Sequence, residues 1–146
     1  MRIVPLSAEL LRLIEPRDTA AAAAFGDRAV RRMTADCGLA IAMLDGGYVI
    51  GAGGVVPLEW AGRALAWMLI SVFTRPRHLL RAAAVVPAWL DTLQARPELR
   101  RLEASAPAAL ERNCRFLERL GFAPEGLMRG YGPDGADHMR FARVRP

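Results

Sequence analysis

The stretch from Arg101 to Gly126 constrains the fold most, because it combines an apolar strand, a helix and a defined helix end. The pattern predicts a strand over Arg101–Ser105 and then a helix that Pro107 opens, since proline suits the first helical turn. We expect the helix to end at Gly121, because glycine adopts a positive φ without a Cβ clash. Apolar side chains at three- and four-residue steps predict one buried face. They are Leu110, Cys114, Leu117 and Leu120.

Composition narrows the class of protein. A length of 146 residues favours one domain over residues 1–146, and an apolar fraction of 53% suffices for a packed core. Residues 75–146 carry the whole formal excess of +5, because arginines and acids balance over residues 1–74. A basic half suits a phosphorylated cofactor or a nucleic acid. Arginines alternate with glutamates along helical faces and aromatics are few, which argues against nucleic acid as a partner.

The rarer residue types exclude several kinds of site. Cys37 and Cys114 form neither a disulfide framework nor a metal-ligand spacing, and the two histidines lie far apart, so we predict no metal site. The N-terminal segment lacks the apolar core of a signal peptide. The longest apolar run, Ala64–Phe73, is about half the length that spans a bilayer. These features predict a cytoplasmic protein with no membrane partner.

Apolar runs separated by turn residues predict the order β-α-α-β-β-β-α-β-α-β-β, an α/β fold with a strand–helix–strand unit in a mostly antiparallel sheet. Asp45-Gly46-Gly47 and Ala61-Gly62-Arg63 predict hairpin turns. Pro87 should kink or split its helix. Besides the stretch above, the predicted elements are a strand over Arg2–Leu6, helices over Ala8–Ile14 and from Asp18 or Thr19 to Met33, strands over 38–44, 48–58 and Ala64–Phe73, a helix over Arg77–Gln94, and strands over Pro124–Tyr131 and His138–Val144 around a turn at Gly132–Gly135.

The helix that ends in Leu120-Gly121-Phe122 and runs into Pro124-Glu125-Gly126 resembles a segment of the GNAT N-acetyltransferases. The element order resembles that superfamily as well, best from Cys37 onward. The resemblance implies a mixed, mostly antiparallel central sheet flanked by helices, with a β-α-β cofactor unit. It also implies acetyl-CoA as co-substrate and direct acetyl transfer to an amine of a small molecule or peptide.

The resemblance places the CoA site where the fourth strand turns into the third helix. The family pattern there is Gln or Arg, two residues, Gly, one residue, Gly or Ala, and its backbone N–H groups cradle the pyrophosphate. Counting from Arg75 or from Arg77 puts no glycine at the small positions. The basic residues either replace those contacts with charge-assisted bonds or are solvated residues of a domain that no longer binds CoA. The predicted cofactor-binding residues are Ser71, Val72, Phe73, Thr74, Arg75, Arg77, His78, Leu79, Leu80, Arg81, Ala82 and Asn113.

The resemblance further implies a general base for the amine, often a tyrosine that protonates the thiolate, and a strand-four amide that polarises the thioester. The usual Asn and Tyr positions of the helix hold Leu110 and Leu117 here. Glu59 and Glu103 are the carboxylates that could act as base, and Tyr131 is a substitute acid. An ordinary structural role is the alternative for each of them.

Two further features complete the predictions. The glycines of residues 51–54 lie inside an apolar run, so they predict a bulge or close backbone packing instead of a phosphate-binding loop. The segments Arg77–Arg81 and Trp89–Asp91 also resemble the phage-encoded, acetyltransferase-like branch of the superfamily. Two functions therefore stay open, an N-acetyltransferase and a catalytically silent structural or interaction protein of phage or prophage origin. A homodimer and a virion-associated assembly both stay open.

Overall fold

The computed structural model describes residues 1–19, 39–60 and 62–145. The predicted helix that ends at Met33 lies almost entirely outside the described residues, as does Cys37. The described strands are β1 (Arg2–Pro5), β2 (Ala40–Asp45), β3 (Tyr48–Pro57), β4 (Arg63–Ile70), β5 (Arg101–Pro107), β6 (Ala123–Met128) and β7 (His138–Val144). The described helices are α1 (Ala8–Arg12), α2 (Pro76–Gln94) and α3 (Glu111–Arg119), with a 3₁₀ helix at Pro97–Leu99.

The strands form a seven-stranded sheet in the order β1-β2-β3-β4-β5-β7-β6. β4 and β5 pair in parallel, with Arg63 opposite Arg101 and Leu65 opposite Glu103. A parallel pair needs a long crossover connection, and the segment that contains α2 supplies it. The pairs β1–β2, β2–β3, β5–β7 and β6–β7 are antiparallel. The predicted α/β class, a mixed and mostly antiparallel sheet flanked by helices, is confirmed.

The chain packs as two compact units, Met1–Val56 with Ala66–Leu80, and Pro57–Leu65 with Arg81–Pro146. The first unit has a core in which α1 covers the opening strands, and the Ser7 side chain caps α1 by accepting the Leu10 N–H at 3.2 Å. One cluster of buried residues in this unit comprises Leu6, Leu11, Ile14, Ala40, Ala42, Val49 and Ala52.

The β2–β3 hairpin forms where it was predicted, but the positive-φ pair of its turn is Gly46-Gly47 and not Asp45-Gly46. Gly46 and Gly47 have φ angles of 55° and 85°, and both conformations are unfavourable for other residues. A register shift leaves Ile50 as the extra residue of a β-bulge, because Met43 pairs with Gly51 whereas Leu44 pairs with Val49. The glycine run lies within β3, as predicted, and a Cβ at Gly54 would lie 2.5 Å from the Leu39 carbonyl oxygen.

The start of α3 differs from the prediction. Pro107 ends β5, where it pairs with His138, so the prediction that it opens the helix is wrong. The pairing with β7 holds the chain extended to that residue, and helix begins only at Glu111. The helix does end at Gly121, whose φ is 88°.

The predicted apolar face of α3 is only partly buried. Leu120, just past the helix, is 7% exposed, whereas Cys114 and Leu117 are half-buried and Leu110 is exposed.

Two other boundaries also depend on the surrounding structure. α2 runs unbroken through Pro87, so the predicted split into two helices is wrong. Leu90 and Leu93 are buried beyond the proline, and this burial stabilises the second half of the helix. β4 ends at Ile70 rather than Phe73, because a turn closes with a hydrogen bond from the Thr74 N–H to the Ser71 carbonyl at 3.1 Å. No helix in the described ranges is long and apolar enough to cross a membrane.

Candidate functional site

The turn from β4 into α2 is fixed by the bulge in β3. The Ile50 carbonyl accepts hydrogen bonds from the Ser71 N–H at 3.1 Å and from the Thr74 hydroxyl. Ser71 and Thr74 are buried. These contacts, all within the first unit, hold Ser71 and Thr74, two of the predicted cofactor-binding residues, against β3.

The backbone N–H groups of this turn already have partners within the protein. Each amide from Ser71 to Arg75 donates a hydrogen bond, and Pro76 has no N–H to offer. Any anion bound at this turn is therefore held chiefly by side chains. Beyond Ser71, the bonds run from Val72 to the Glu15 carbonyl (2.9 Å), from Phe73 to Ser71 Oγ (3.2 Å), from Thr74 to the Ser71 carbonyl (3.1 Å) and from Arg75 to His78 Nδ1 (3.1 Å).

His78 ties the first turn of α2 to the β2–β3 hairpin. Its Nδ1 accepts the Arg75 N–H, so the neutral ring carries its proton on Nε2, which donates to Asp45 Oδ2 at 2.9 Å. An N3 side chain that reaches back to the N-cap amide is the arrangement of a capping box. The residue is 5% exposed, and this local role accounts for the large side chain at a position where the GNAT pattern has a small one.

Asp45 is the charged centre of this contact. The α-amino group of Met1, 3.1 Å from Oδ1, and then the His78 ring lower the pKa of the Asp45 carboxyl to about 2. Arg77 lies beside the same carboxylate, with NH2 3.4 Å from Oδ2. The carboxylate is therefore ionised at physiological pH and holds both His78 and Arg77.

A cavity of about 350 Å³ adjoins these residues. Tyr48 and Phe73 form part of its wall, with ring centroids 4.6 Å apart and planes inclined by 34°. Arg75, Arg77 and His78 line it as well. The ionised Asp45 is part of the lining too. The volume is within the range of small-molecule sites, and two arginines against one carboxylate suit a ligand that carries negative charge.

The remaining predicted cofactor residues differ in accessibility. Ala82 is buried and Leu79 is half-buried, so both serve the packing of α2. Asn113, on α3, belongs to the second unit. The exposed members of the predicted set are Val72, Phe73, Arg75, Arg77, Leu80, Arg81 and Asn113.

Glu103 lies among three arginines in the second unit. Arg63 binds it through Nε at 2.8 Å and NH2 at 3.0 Å, Arg101 Nε is 2.8 Å from Oε1, and Arg140 contacts Oε2. Arg63, followed by Arg101 and Arg140, holds the pKa of the Glu103 carboxyl at about 2, although burial opposes this. A carboxylate with its oxygens occupied in this way is a poor proton acceptor. The surroundings therefore favour the structural alternative for Glu103.

The arginine cluster, defined as Glu103 with Arg63, Arg101 and Arg140, joins β4, β5 and β7. Arg101 also binds Glu125 on β6, with NH1 3.0 Å from Oε1. The sequence analysis missed this cluster. Its one local signal is the spacing of Arg101 and Glu103, which places them on the same side of a strand.

The other two predicted catalytic residues lie on exposed connections of the second unit. Glu59 follows β3 and is exposed, next to Trp60, which is stacked on the Arg63 guanidinium at 4.6 Å. Tyr131 follows β6 and is exposed, with its ring centroid 5.5 Å from that of His138. Both side chains are accessible to a substrate.

Comparison with solved structures identifies the fold. Neither a family model nor a curated protein sequence matches the chain. Among solved structures, smu.2055 from Streptococcus mutans UA159 is 13% identical, with a TM-score of 0.74 over 99% of each chain. A probable acetyltransferase from Staphylococcus epidermidis ATCC 12228 is 9% identical, with a TM-score of 0.73 over 99% of each chain. Ribosomal-protein-alanine N-acetyltransferase from Brucella melitensis is 12% identical, with a TM-score of 0.69 over 99% of this chain and 100% of that one.

The chain has the GNAT acetyltransferase fold. The fold expected from the Leu120-Gly121-Phe122 helix end is thereby confirmed. The β4–α2 turn of this chain differs from the GNAT cofactor pattern. His78 occupies a position where the pattern has a small residue, and the backbone amides of the turn already have partners within the protein.

Proposed function

We propose that the protein is an N-acetyltransferase that transfers the acetyl group of acetyl-CoA to an amine of a small molecule or peptide by direct attack. The GNAT fold supports the chemistry. The observation that carries the proposal is the cationic cavity at the start of α2, lined by Arg75 and Arg77, at the junction where the resemblance places the CoA pyrophosphate. The positive end of the α2 dipole adds to the attraction for an anion there.

The CoA phosphates are held mainly by guanidinium groups in this proposal. In the free protein the amides from Ser71 to Arg75 donate within the protein, so the remaining donors are on side chains. They belong to the exposed Arg75, to Arg77 beyond its contact with Asp45, and to Arg81 one helical turn later. Guanidinium–phosphate bonds are charge-assisted and often bidentate. They compensate for the backbone cradle that the glycine pattern forms elsewhere in the superfamily.

The catalytic assignment follows from accessibility. Glu59 removes a proton from the acceptor amine, the nitrogen attacks the thioester carbon, the C–S bond breaks, and Tyr131 gives its proton to the departing thiolate. A β4 amide polarises the thioester carbonyl and needs no side chain. Glu103 contributes to stability instead, because its carboxylate is bound by three arginines.

Calorimetric titration with CoA tests the cofactor assignment. The double substitution Arg75→Ala with Arg77→Ala should weaken binding about 10- to 100-fold, the range expected when charge-assisted bonds are lost. Arg2→Ala with Arg12→Ala is the matched control, because it removes two exposed positive charges of the same unit that are not part of the cavity lining. Equal losses in both double variants would show that overall charge, and not this cavity, attracts CoA.

Thiol release from acetyl-CoA tests the activity across a panel of amines, polyamines and peptides. Glu59→Gln should abolish turnover with CoA affinity intact, and Tyr131→Phe should slow it by about 10²–10⁴-fold, the usual contribution of a proton-transfer group. Unchanged turnover in Glu59→Gln would remove it as the base. No CoA binding and no thiol release with any acceptor would favour the alternative, a catalytically silent GNAT-fold protein of phage or prophage origin.

A further inference from the structure

We propose that His78 couples CoA binding to the uptake of a proton. In the free protein the neutral ring accepts the Arg75 N–H, and in the complex the protonated ring and that N–H both donate to a phosphate oxygen. The inference rests on the proposed function, because it concerns the binding of CoA at the β4–α2 junction.

The two nitrogens of the His78 ring make different hydrogen bonds. Nε2 lies 2.9 Å from Asp45 Oδ2 and 3.3 Å from Arg77 Nε. The carboxylate is the closer group and can only accept, so Nε2 carries a proton and donates to it whether the ring is neutral or charged. Nδ1 faces the Arg75 N–H at 3.1 Å and can accept that bond only while it has no proton. Protonation therefore changes the Nδ1 end alone.

A bound anion makes a proton on Nδ1 favourable, whereas the free protein disfavours it. In the free protein, a proton on Nδ1 would set two donors, Nδ1–H and the Arg75 N–H, against each other. A phosphate oxygen accepts from both, and each bond is then charge-assisted. The cavity that Arg75, Arg77 and His78 line provides space beside the ring for such a group. Binding and protonation consequently favour each other, and the coupling is reciprocal.

Charged groups of both signs lie close to the ring. Asp45 favours the charged ring, although the α-amino group of Met1 shares its carboxylate. Arg77 opposes a second positive charge, since its Nε lies 3.3 Å from Nε2. A phosphate between Arg75 and Arg77 offsets that repulsion. Other titratable groups in the described part of this unit lie nearby: Arg75 and Tyr48 line the cavity, and Arg17 donates to the Thr74 carbonyl.

Calorimetric titration of CoA between pH 5.5 and pH 8, in two buffers of different ionisation enthalpy, measures the coupling. Histidine is the side chain that changes charge in this range. The wild-type protein should take up as much as one additional proton per CoA, and its affinity should rise by up to tenfold for each unit by which the pH falls. The 3′-phosphate of CoA also titrates, so dephospho-CoA is run alongside it.

The chain offers a matched pair of histidine variants. His78→Gln keeps an acceptor for the Arg75 N–H and a donor for Asp45 but cannot titrate, so it should bind CoA without the additional proton. His138→Gln changes the only other histidine and should keep the wild-type profile. An identical pH profile in wild type and His78→Gln would overturn the proposal.

A measurement without CoA separates this inference from the proposed function. The NMR shift of the Arg75 amide should follow a single protonation in the wild type and should lose that step in His78→Gln. Titration with inorganic pyrophosphate should move the protonation step to higher pH. If CoA does not bind at any pH, the proposed function fails, whereas an Arg75 amide that does not respond to pH, or whose protonation step pyrophosphate does not move, overturns the role of His78.

Discussion

Glu103→Gln is the substitution whose effect the structure defines best. The side chain is 6% exposed, and its two oxygens contact Arg63, Arg101 and Arg140. Glutamine has nearly the same shape but no charge, so the variant leaves three guanidinium groups around a neutral amide. Removing one partner from a buried ion cluster costs about 3–5 kcal/mol, because the remaining charges are left uncompensated.

The lowered pKa of the Glu103 carboxyl expresses the same interaction as a dependence on pH. It lies at about 2 in the folded protein against an ordinary 4.5. Each pKa unit corresponds to about 1.4 kcal/mol, so the ionised carboxylate stabilises the fold by about 3 kcal/mol. Because the folded pKa is depressed, this contribution is complete above pH 4.5 and is lost as the pH falls toward 2.

Urea unfolding of wild type and Glu103→Gln at several pH values between 2 and 7 measures both quantities. The difference in unfolding free energy should be about 3–5 kcal/mol at neutral pH and should shrink by about 3 kcal/mol by pH 2. Glu59→Gln is the matched control, since Glu59 is exposed, and its unfolding free energy should stay within about 0.5 kcal/mol of wild type. A Glu103→Gln difference that is small, or that does not change with pH, would refute the charge argument.

Two packing predictions complete the set, and thermal or urea unfolding measures both. Gly54→Ala should destabilise the protein by about 1–3 kcal/mol, because its Cβ would lie 2.5 Å from the Leu39 carbonyl and 2.6 Å from the Ala40 Cβ; an unchanged midpoint would mean that the two strands are further apart. Leu120→Ala should cost about 2–5 kcal/mol and Leu117→Ala clearly less, since only Leu120 is buried. Equal losses would show that both leucines lie in the core.

The candidate site was predictable only in outline. The resemblance of one helix end directed attention to residues 71–82, and Arg75, Arg77 and His78 do line one cavity. What no local pattern shows is that the amides of this turn are already bonded. Their acceptors include the carbonyls of Glu15 and Ile50, and neither residue is near the turn in sequence.

The charged surroundings of Glu103 were likewise not predictable from the local sequence. As a carboxylate on a predicted strand it was a reasonable general base, and its immediate neighbours indicated little else. Arg63 and Arg140, which bind it, are separated from it by 40 and 37 residues. Sheet pairing brings them together, so the state of this carboxylate follows from the strand order.

The sequence by itself determined the features that depend on a residue's own backbone preferences. The β2–β3 hairpin turns at the predicted position, Gly121 ends α3, and β7 has the predicted bounds, because φ restrictions and strand periodicity act over a few residues. Only the tertiary structure decided that Pro107 stays in a strand and that His78 closes the β4–α2 turn. Both outcomes depend on hydrogen-bonded partners from distant parts of the chain, Pro107 pairing with His138 and His78 binding Asp45.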